Sequence, residues 1–335
     1  MGGDNNYASG SLWSDSMNGK RALVTGGAGF IGSHLVDRLV TEGWHVRVLD
    51  NFSTGRIENL LHYKSNPRFE IIQGDLKNKE VCIKVVEDVD VVFHFAANPE
   101  VRVSTTNPEM HFNENIVATF YLLEILRRKD VKKLVFASSS SVYGEPDTIP
   151  VDEEAPIRPA SVYGASKAAC ENLMHAYSKL YGIKAVVLRY ANVVGPRLRH
   201  GVIHDFIIKL LRNPNELEIL GDGTQIRSYI YINDAVRATM IAYNKANRYF
   251  NVYNVASEDW ITVNEVADIV VNALGLRNVK YIYKPVAHGI GWIGDVKKIA
   301  LSIDKLKQLG FNPKLNSREA VKRTAEELGK EFRIS

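Results

Sequence analysis

Three glycines between a short apolar segment and an amphipathic one constrain this chain more than any other feature. Residues 21–25 (RALVT) predict a strand, and Gly26, Gly29 and Gly32 follow at intervals of three residues, opening a predicted helix. Glycines in such a turn let the backbone approach a pyrophosphate, while the helix N-terminus supplies N–H groups and the positive end of its dipole. The pattern predicts a strand-turn-helix unit built around a phosphate group.

The acid that follows the next strand makes this prediction more specific. Residues 45–49 (HVRVL) predict a second strand, which ends in Asp50, 21 residues beyond Gly29. A carboxylate at this position accepts hydrogen bonds from both ribose hydroxyls of adenosine and repels a 2′-phosphate. The sequence therefore predicts a dinucleotide site that prefers NAD over NADP.

Strands and helices continue to alternate through the first part of the chain. Further strands are predicted at residues 69–73, 90–95, 133–136 and 185–190, and helices at 78–87, 110–128 and 162–180. Such alternation predicts an α/β fold with a doubly wound, Rossmann-like parallel sheet. His94, inside one of these strands, is expected to lie in the core or beside the cofactor phosphates rather than to act as a catalytic imidazole.

The alternation breaks down after residue 190, which predicts a smaller, discontinuous substrate-binding cap domain. We assign residues 20–190 plus about 230–256 to the NAD-binding domain, because residues 251–255 predict a strand that returns to the sheet. About 191–229 plus 257–330 form the cap. Residues 1–19 are rich in Gly, Ser, Asn and Asp without an apolar core, so we expect a flexible leader and not a signal peptide.

Composition excludes several classes of protein. A formal net charge of +4 without a block of basic residues argues against nucleic-acid binding, and no apolar run is long enough to predict a membrane span. The two cysteines, Cys82 and Cys170, form neither a disulfide framework nor a metal-binding spacing, so no metal is predicted. A reducing cytoplasm is the expected setting.

Tyr163 and Lys167 are the candidate catalytic pair. Residues four apart on a helix share one face, so the phenol and the ammonium are expected to point into the same space. A neighbouring cation favours the phenolate and lowers the pKa of the phenol towards the range useful for a general base. Ordinary exposed helix side chains have the same spacing. The predicted dinucleotide site earlier in the chain favours the catalytic interpretation.

Four serines, residues 138–141, follow the strand at 133–136. In a parallel sheet, this strand end and the start of the Tyr163 helix border one crevice, so a serine hydroxyl can hydrogen-bond the group that is oxidised. Ser139 is the favoured residue, with Ser140 as the alternative.

These motifs, in this order, resemble the extended short-chain dehydrogenase/reductase family. The resemblance spans roughly residues 20–328 and rests on GGAGFIG (26–32), HFAAN (94–98), SSSSVYG (138–144) and YGASK (163–167). It implies that Ser139, Tyr163 and Lys167 are catalytic and that NAD is the cofactor. The implied cofactor-binding residues are Gly26, Gly29, Phe30, Ile31, Gly32, Asp50, Asn51, Ser53, Thr54, Gly55, Asp75, Leu76, Phe95, Ala96, Ala97, Asn115, Ser138, Tyr163, Lys167 and Tyr190.

Later motifs are similar to those of UDP-sugar enzymes in this family, in particular the UDP-glucose 4-epimerases. LRYANVVGPR (188–197) and LEILGDGTQIRSYIYINDA (217–235) imply that Asn192 and Arg227 hold the diphosphate and uridine of a UDP-sugar. The implied substrate-binding residues are Ser139, Ser140, Tyr163, Asn192, Arg197, Leu217, Ile219, Arg227 and Asp295. Ile299 is expected either beside the sugar pocket or in the core.

The resemblance implies interconversion of UDP-glucose and UDP-galactose through transient oxidation at C4 of the hexose. Tyr163 takes the proton of the 4-hydroxyl, and the 4-keto sugar is reduced again from its opposite face, which regenerates NAD. The alternatives are 4-epimerisation of a UDP-N-acetylhexosamine or UDP-glucuronate, or a nucleotide-sugar dehydratase or reductase. Dehydratases of the family carry an adjacent acid pair where this chain has Ser140 and Ser141, which argues against that activity.

Two departures from the family pattern concern the diphosphate. Ser228 stands where an acid usually follows Arg227, and residues 289–293 (GIGWI) lack the arginine that often precedes the pair Gly294-Asp295. We expect the basic turn containing Arg197, Arg199 and His200 to compensate. The resemblance also implies a homodimer that packs through the helices at 110–128 and 162–180.

Overall fold

The computed structural model describes residues 19–334, so the predicted leader, residues 1–19, lies outside the described part except for Gly19. The strands in chain order are β1 Arg21–Thr25, β2 His45–Asp50, β3 Phe69–Gln73, β4 Val91–His94, β5 Lys133–Ser139, β6 Lys184–Tyr190, β7 Asn192–Val194, β8 Glu216–Leu220, β9 Ile226–Arg227, β10 Tyr229–Tyr231, β11 Phe250–Val255, β12 Ile261–Thr262, β13 Lys280–Lys284 and β14 Lys298–Ile299. The α-helices are α1 Phe30–Thr41, α2 Lys79–Val85, α3 Pro108–His111, α4 Ala118–Arg128, α5 Val162–Tyr181, α6 Gly201–Arg212, α7 Ile232–Lys245, α8 Val263–Ala273, α9 Asp304–Lys307 and α10 Ser317–Ile334.

Seven of these strands form one parallel sheet. Their order is β11-β6-β5-β4-β1-β2-β3, with β1 hydrogen-bonded to β4 on one side and to β2 on the other. The order changes direction at β1, which places a crevice for ligands at the carboxyl ends of the neighbouring strands. The predicted doubly wound α/β fold is confirmed, and β11 returns to the sheet beside β6 as expected.

Both faces of the sheet are buried, as near-continuous apolar strands require. Successive side chains point to opposite faces, so Leu23 joins one apolar cluster while its neighbours Ala22 and Val24 join the other. Helices α2, α4 and α5 cover the first face, and α1 and α7 cover the second. Within residues 19–334, no helix is both long and apolar enough to cross a membrane.

The remaining strands form three small sheets with the orders β10-β7, β12-β9-β14 and β13-β8. Helices α6, α8 and α10 pack around them. Helix α8 begins at a capping box in which the Thr262 hydroxyl accepts a bond from the Glu265 N–H, and the Glu265 carboxylate accepts one from the Thr262 N–H. The division of the chain into a cofactor domain and a cap domain stays a prediction.

The predicted helix at residues 110–128 differs from the structure. It begins earlier, at Pro108, and a π-helical segment, Phe112–Val117, separates α3 from α4. A π segment inserts an extra residue into the helical repeat and so changes the direction of the side chains near it. Asn115 lies inside this segment.

Candidate functional site

A cleft of about 740 Å³ runs along the carboxyl ends of the parallel strands and continues towards the small sheets. Its size is within the range of small-molecule and cofactor sites. The glycine turn borders one end, and the catalytic candidates Ser139, Tyr163 and Lys167 lie along its wall. Residues from β8, β9 and the segment before β14 border the other end.

Most of the predicted site residues line this cleft. On the cofactor side these are Gly26, Gly29, Phe30, Ile31, Gly32, Asp50, Asn51, Ser53, Thr54, Gly55, Asp75, Leu76, Phe95, Ala96, Ala97, Ser138 and Tyr190. The catalytic candidates and the predicted substrate-binding residues that line the cleft are Ser139, Ser140, Tyr163, Lys167, Asn192, Arg197, Arg227 and Asp295.

Leu217 and Ile219 do not line the cleft, and their predicted contact with the substrate is corrected. Both side chains are fully buried in the apolar core, while Glu216 before them and Glu218 between them face solvent. Side chains alternate along a strand, so the two apolar residues of β8 share the core face. Leu220, at the end of β8, lines the cleft instead.

Asn115 does not line the cleft either. Its amide oxygen accepts a hydrogen bond from the Asn98 N–H (2.9 Å), and its amide nitrogen donates to Ser166 Oγ (2.8 Å). Asn115 therefore ties the loop after β4 to helix α5 behind the cleft, and its contact with the cofactor stays a prediction. Ile299 is likewise buried in the apolar core.

The glycines of the first turn serve different purposes. Gly26 has a φ of 68°, and a Cβ there would lie 2.6 Å from the backbone nitrogen of Ala96. A Cβ on Gly32 would lie 2.2 Å from the Gly26 carbonyl oxygen, so this glycine allows α1 to contact the turn. Gly29 is the N-cap of α1 and lines the cleft, where its backbone is accessible to a phosphate.

Asp50 connects the glycine turn to the end of β2. Its carboxylate accepts hydrogen bonds from the backbone N–H groups of Ala28 (2.9 Å) and Phe52 (2.8 Å). Burial raises the pKa of Asp50, and these two N–H groups act in the opposite direction by stabilising the carboxylate. The side chain is thereby held at the edge of the cleft, beside Gly55.

The pKa of Tyr163 differs from the prediction. Burial raises the pKa of Tyr163 to about 12, and a hydrogen bond with the Ser139 side chain opposes this increase. The Lys167 ammonium lies 5.9 Å from the centre of the Tyr163 ring. The expected lowering of the Tyr163 pKa is therefore not observed, because burial disfavours the phenolate and is the largest influence on this pKa.

Lys167 is itself destabilised in its charged form. Burial lowers its pKa from 10.5 to about 8, while Cys170 and Glu171 act in the opposite direction. Its ammonium donates a hydrogen bond to the Ala137 carbonyl (2.8 Å). The lysine thus links α5 to the end of β5, two residues before Ser139.

His94 is a core residue, as expected. One ring nitrogen is bonded to the Thr25 hydroxyl (2.7 Å) and the other to the Thr119 hydroxyl (2.9 Å). Burial lowers its pKa to about 3, with a further contribution from the charge of Lys167. The neutral ring connects β1, β4 and α4 beneath the glycine turn.

Three arginines that line the cleft are held by carboxylates. Arg227 donates to Asp295 (2.8 Å) and to the Val296 carbonyl (2.5 Å). Arg197, with a φ of 68°, is paired with Asp37 of α1 at 2.9 Å, and Arg199 is paired with Glu331 of α10. Both arginines of the basic turn therefore line the cleft with their directions fixed by other elements.

A model of the NAD dependent epimerase/dehydratase family matches residues 22–256. The chain belongs to this family. It is 40% identical over 307 residues to a putative UDP-glucose 4-epimerase of Methanocaldococcus jannaschii, covering 90% of this chain and 96% of that protein.

Two solved structures extend this family comparison. A crystal structure of a UDP-galactose 4-epimerase is 50% identical, with a TM-score of 0.83, and covers 93% of this chain and 99% of its own. The UDP-N-acetylglucosamine 4-epimerase of Methanobrevibacter ruminantium M1, solved with UDP-N-acetylmuramic acid, is 33% identical with a TM-score of 0.83, covering 94% and 100%.

Membership of this family confirms the predicted resemblance to extended short-chain dehydrogenases/reductases. The protein is an enzyme of the nucleotide-sugar epimerase/dehydratase family, and its cofactor is NAD. The geometry fits the cofactor, because the accessible backbone at Gly29 and the carboxylate of Asp50 border the same cleft as Tyr163 and Lys167.

Three residues that line the cleft were not predicted from the sequence. Glu100 and Arg102 line the cleft in the segment after β4, and their side chains are paired at 3.1 Å. Their position after the carboxyl end of a parallel strand was the signal that could have identified them. Trp292 also lines the cleft, where the sequence pattern suggested only a missing arginine.

Proposed function

We propose that this protein interconverts UDP-glucose and UDP-galactose by transient oxidation and reduction at C4 of the hexose. The observation that carries the proposal is that Ser139, Tyr163 and Lys167 border one cleft with the glycine turn and Asp50. The substrate is supported by the 40% identical relative named as a putative UDP-glucose 4-epimerase and by the 50% identical structure of a UDP-galactose 4-epimerase.

The side chains of this protein divide the proton chemistry among them. Tyr163 in its ionised form accepts the proton of the sugar 4-hydroxyl and later returns it, while Ser139 hydrogen-bonds the same oxygen. Hydride transfer to and from C4 is the chemistry that NAD supplies when bound. The buried phenol needs additional positive charge to ionise; Lys167 lies on the same wall of the cleft, and an oxidised nicotinamide ring would add to its charge when NAD is bound.

The substrate end of the cleft offers contacts for a UDP group in the proposed complex. Arg227 and Arg197 supply positive charge for the diphosphate, and Asn192 supplies an amide at the start of β7. Epimerisation requires the hexose to present either face of C4, so we expect these contacts to hold the nucleotide while the sugar turns.

Elimination of water is disfavoured by the residues after Ser139. Ser140 and Ser141 line the cleft, and Ser141 Oγ accepts a hydrogen bond from Ser139 Oγ (3.1 Å). A hydroxyl with an ordinary pKa far above neutrality is a poor general acid or base for elimination at C5 and C6. Simple epimerisation requires neither group.

The decisive experiment separates the three sugar classes. The enzyme is incubated with UDP-glucose, UDP-N-acetylglucosamine or UDP-glucuronate in turn, without added reductant, and the C4 epimers are resolved by chromatography. We expect UDP-galactose from UDP-glucose at the highest kcat/KM. A higher value for either of the other sugars would replace the proposed substrate.

Tyr163→Phe tests the assignment of the base. The phenyl ring keeps the edge contact with His111, whose ring centre is 5.5 Å away, so the fold and NAD affinity should be retained. Epimerisation should fall by about 10²- to 10⁴-fold, the usual contribution of a general base. Equal loss of NAD binding and epimerisation would contradict the assignment.

We also propose a homodimer in a reducing compartment, the cytoplasm. Phe120 on α4 and Leu180 and Tyr181 on α5 are exposed apolar side chains on the two helices expected to pack against a second copy. Cys82 and Cys170 are free and buried, which suits a reducing environment. Light scattering at micromolar concentration tests the dimer, and a monomer would refute it.

A further inference from the structure

A buried ion pair lies behind the catalytic wall of the cleft. The Arg189 guanidinium donates to both oxygens of Glu171, with the shortest bond 2.7 Å, and both side chains are about 5% exposed or less. The two residues come from β6 and α5. A buried pair of this kind contributes little net stability compared with apolar replacements, so its presence calls for another reason.

The strand register explains how the pair reaches the catalytic residues. Ser138 of β5, Arg189 of β6 and Asn254 of β11 are aligned across three adjacent parallel strands. The Ser138 hydroxyl donates to Glu171 at 2.5 Å, so this hydroxyl is bonded to α5 although the residue also borders the cleft. The next residue, Ser139, lines the cleft, and its side chain is hydrogen-bonded to Tyr163.

Arg189 also connects the ion pair to residues of β11 and of the segment after β5. It donates to the Tyr143 hydroxyl (2.9 Å), which in turn donates to Asn254 Oδ1 (2.7 Å). The Asn254 amide nitrogen donates to the carbonyls of Val151 (2.9 Å) and Ser302 (3.0 Å). These bonds hold Arg189, and through it Glu171, in one position.

Glu171 also follows Lys167 by four residues on the same helix, so the carboxylate and the ammonium are neighbours. Helix α5 therefore holds the end of β5 at two consecutive residues, because Lys167 bonds the Ala137 carbonyl and Glu171 bonds the Ser138 hydroxyl. We propose that Glu171, oriented by Arg189, is a positioning residue for the reaction proposed above, on which this inference rests. It fixes Ser139 relative to Tyr163 and stabilises the charge of Lys167.

The groups around the Lys167 ammonium bear on its charge. Those with an electrostatic or ring contact are Tyr163, Cys170 and Glu171 on α5, His94 on β4, His111 on α3 and the Phe136 ring on β5. Burial lowers the pKa of both histidines. Cys170 is a buried thiol whose pKa is raised by burial, and Glu171 is the carboxylate of this set, paired with Arg189.

Glu171→Gln tests the electrostatic part, because the amide can still accept from Ser138. Two quantities are measured: the alkaline limb of kcat with UDP-glucose, and the titration of Lys167 by NMR of ¹³C-labelled lysine. We expect both midpoints to move to lower pH by about one unit, the order of effect of one charge across a helical turn. KM for UDP-glucose should stay within about twofold of the parent value, because Glu171 does not line the cleft.

The matched control is Glu70→Gln. Glu70 lies on β3, away from Lys167, and its carboxylate is 2.8 Å from the guanidinium of buried Arg47. This variant should lose stability and move neither midpoint. If Glu171→Gln moves the midpoints no more than the control does, the ion pair is merely structural and the inference is overturned. The NMR titration needs no turnover, so absence of epimerisation in the parent enzyme would refute the proposed function separately.

Ser138→Ala tests the geometric part. It should lower kcat by about tenfold with KM and the midpoint of Lys167 unchanged, since one hydrogen bond to a charged group is lost. If Glu171→Gln fails to fold, Glu171→Met combined with Arg189→Met replaces the pair by apolar groups, a change that folded proteins often tolerate. That double variant should fold with kcat reduced at least about tenfold; parental kcat in it would overturn the inference.

Discussion

Lys167→Met should change the stability of the protein in a way that depends on pH. Lys167 is 3% exposed, and burial lowers the pKa of its ammonium from 10.5 to about 8. Below pH 8 the lysine is charged in both the folded and the unfolded chain, so the folded protein carries the whole cost of burying the charge. Between pH 8 and 10.5 the unfolded chain binds more protons than the folded one, so the stability of the parent rises with pH.

The size of the effect follows from the difference between the two pKa values. That difference lowers the unfolding free energy of the parent protein by roughly 3 kcal/mol at pH 7. About 2 kcal/mol of this loss is recovered when the pH rises to 9.5. Methionine removes this dependence and also removes the hydrogen bond to Ala137, which costs about 1–3 kcal/mol at every pH. The unfolding free energy of Lys167→Met minus that of the parent should therefore decrease by about 2 kcal/mol between pH 7 and pH 9.5.

Urea unfolding at pH 7.0, 8.0 and 9.5, roughly the window of the titration, measures this difference. Lys179→Met is the matched control, because Lys179 is exposed on the last turn of the same helix and its replacement uncovers no buried charge. A difference between Lys167→Met and the parent that stays constant over this range would refute the reasoning. Epimerisation by Lys167→Met should be lost at every pH, whatever its stability.

Three further substitutions test individual parts of the cleft. Gly26→Ala should destabilise the protein by about 2 kcal/mol or more and weaken NAD binding, because φ is 68° and the added Cβ would lie 2.6 Å from the Ala96 nitrogen; unchanged urea unfolding would contradict this. Asp50→Ala should weaken NAD binding by about tenfold or more and reduce the preference over NADP, which calorimetric titration of both cofactors measures. Leu217→Ala should cost about 2–5 kcal/mol of stability and leave KM for UDP-glucose within about twofold, because the side chain is fully buried; a large increase in KM at parental stability would place Leu217 at the sugar nucleotide.

The parts that were predicted correctly depend on local patterns. Strand β1, the glycine turn and helix α1 follow from apolar periodicity and turn chemistry within about thirty residues, the length of a βαβ unit. The parallel sheet follows because alternating strands and helices have few ways to bury their apolar faces. The capping box of α8 is equally local, since Thr262 and Glu265 are three residues apart.

The errors concern directions that tertiary packing decides. The predicted contact of Leu217 and Ile219 with the substrate came from the motif around β8, although the alternation Glu-Leu-Glu-Ile at residues 216–219 already indicated that both face the core. The π segment that contains Asn115 has no comparable sequence signal. Glu171 and Arg189 were missed because their pairing joins a helix to a strand, which only the folded sheet brings together.

The electrostatic error is the most informative for the mechanism. Burial raises the pKa of Tyr163 and lowers that of Lys167, so it favours the uncharged form of both groups. Spacing on a helix predicts that the two side chains are neighbours, but it says nothing about the cost of removing them from water. At neutral pH, Lys167 keeps its charge because a pKa of about 8 is still above the working range, whereas Tyr163 remains a phenol. Ionisation of Tyr163 therefore needs stabilisation that offsets the cost of its burial, and in the proposed mechanism Lys167 and an oxidised nicotinamide ring would supply it.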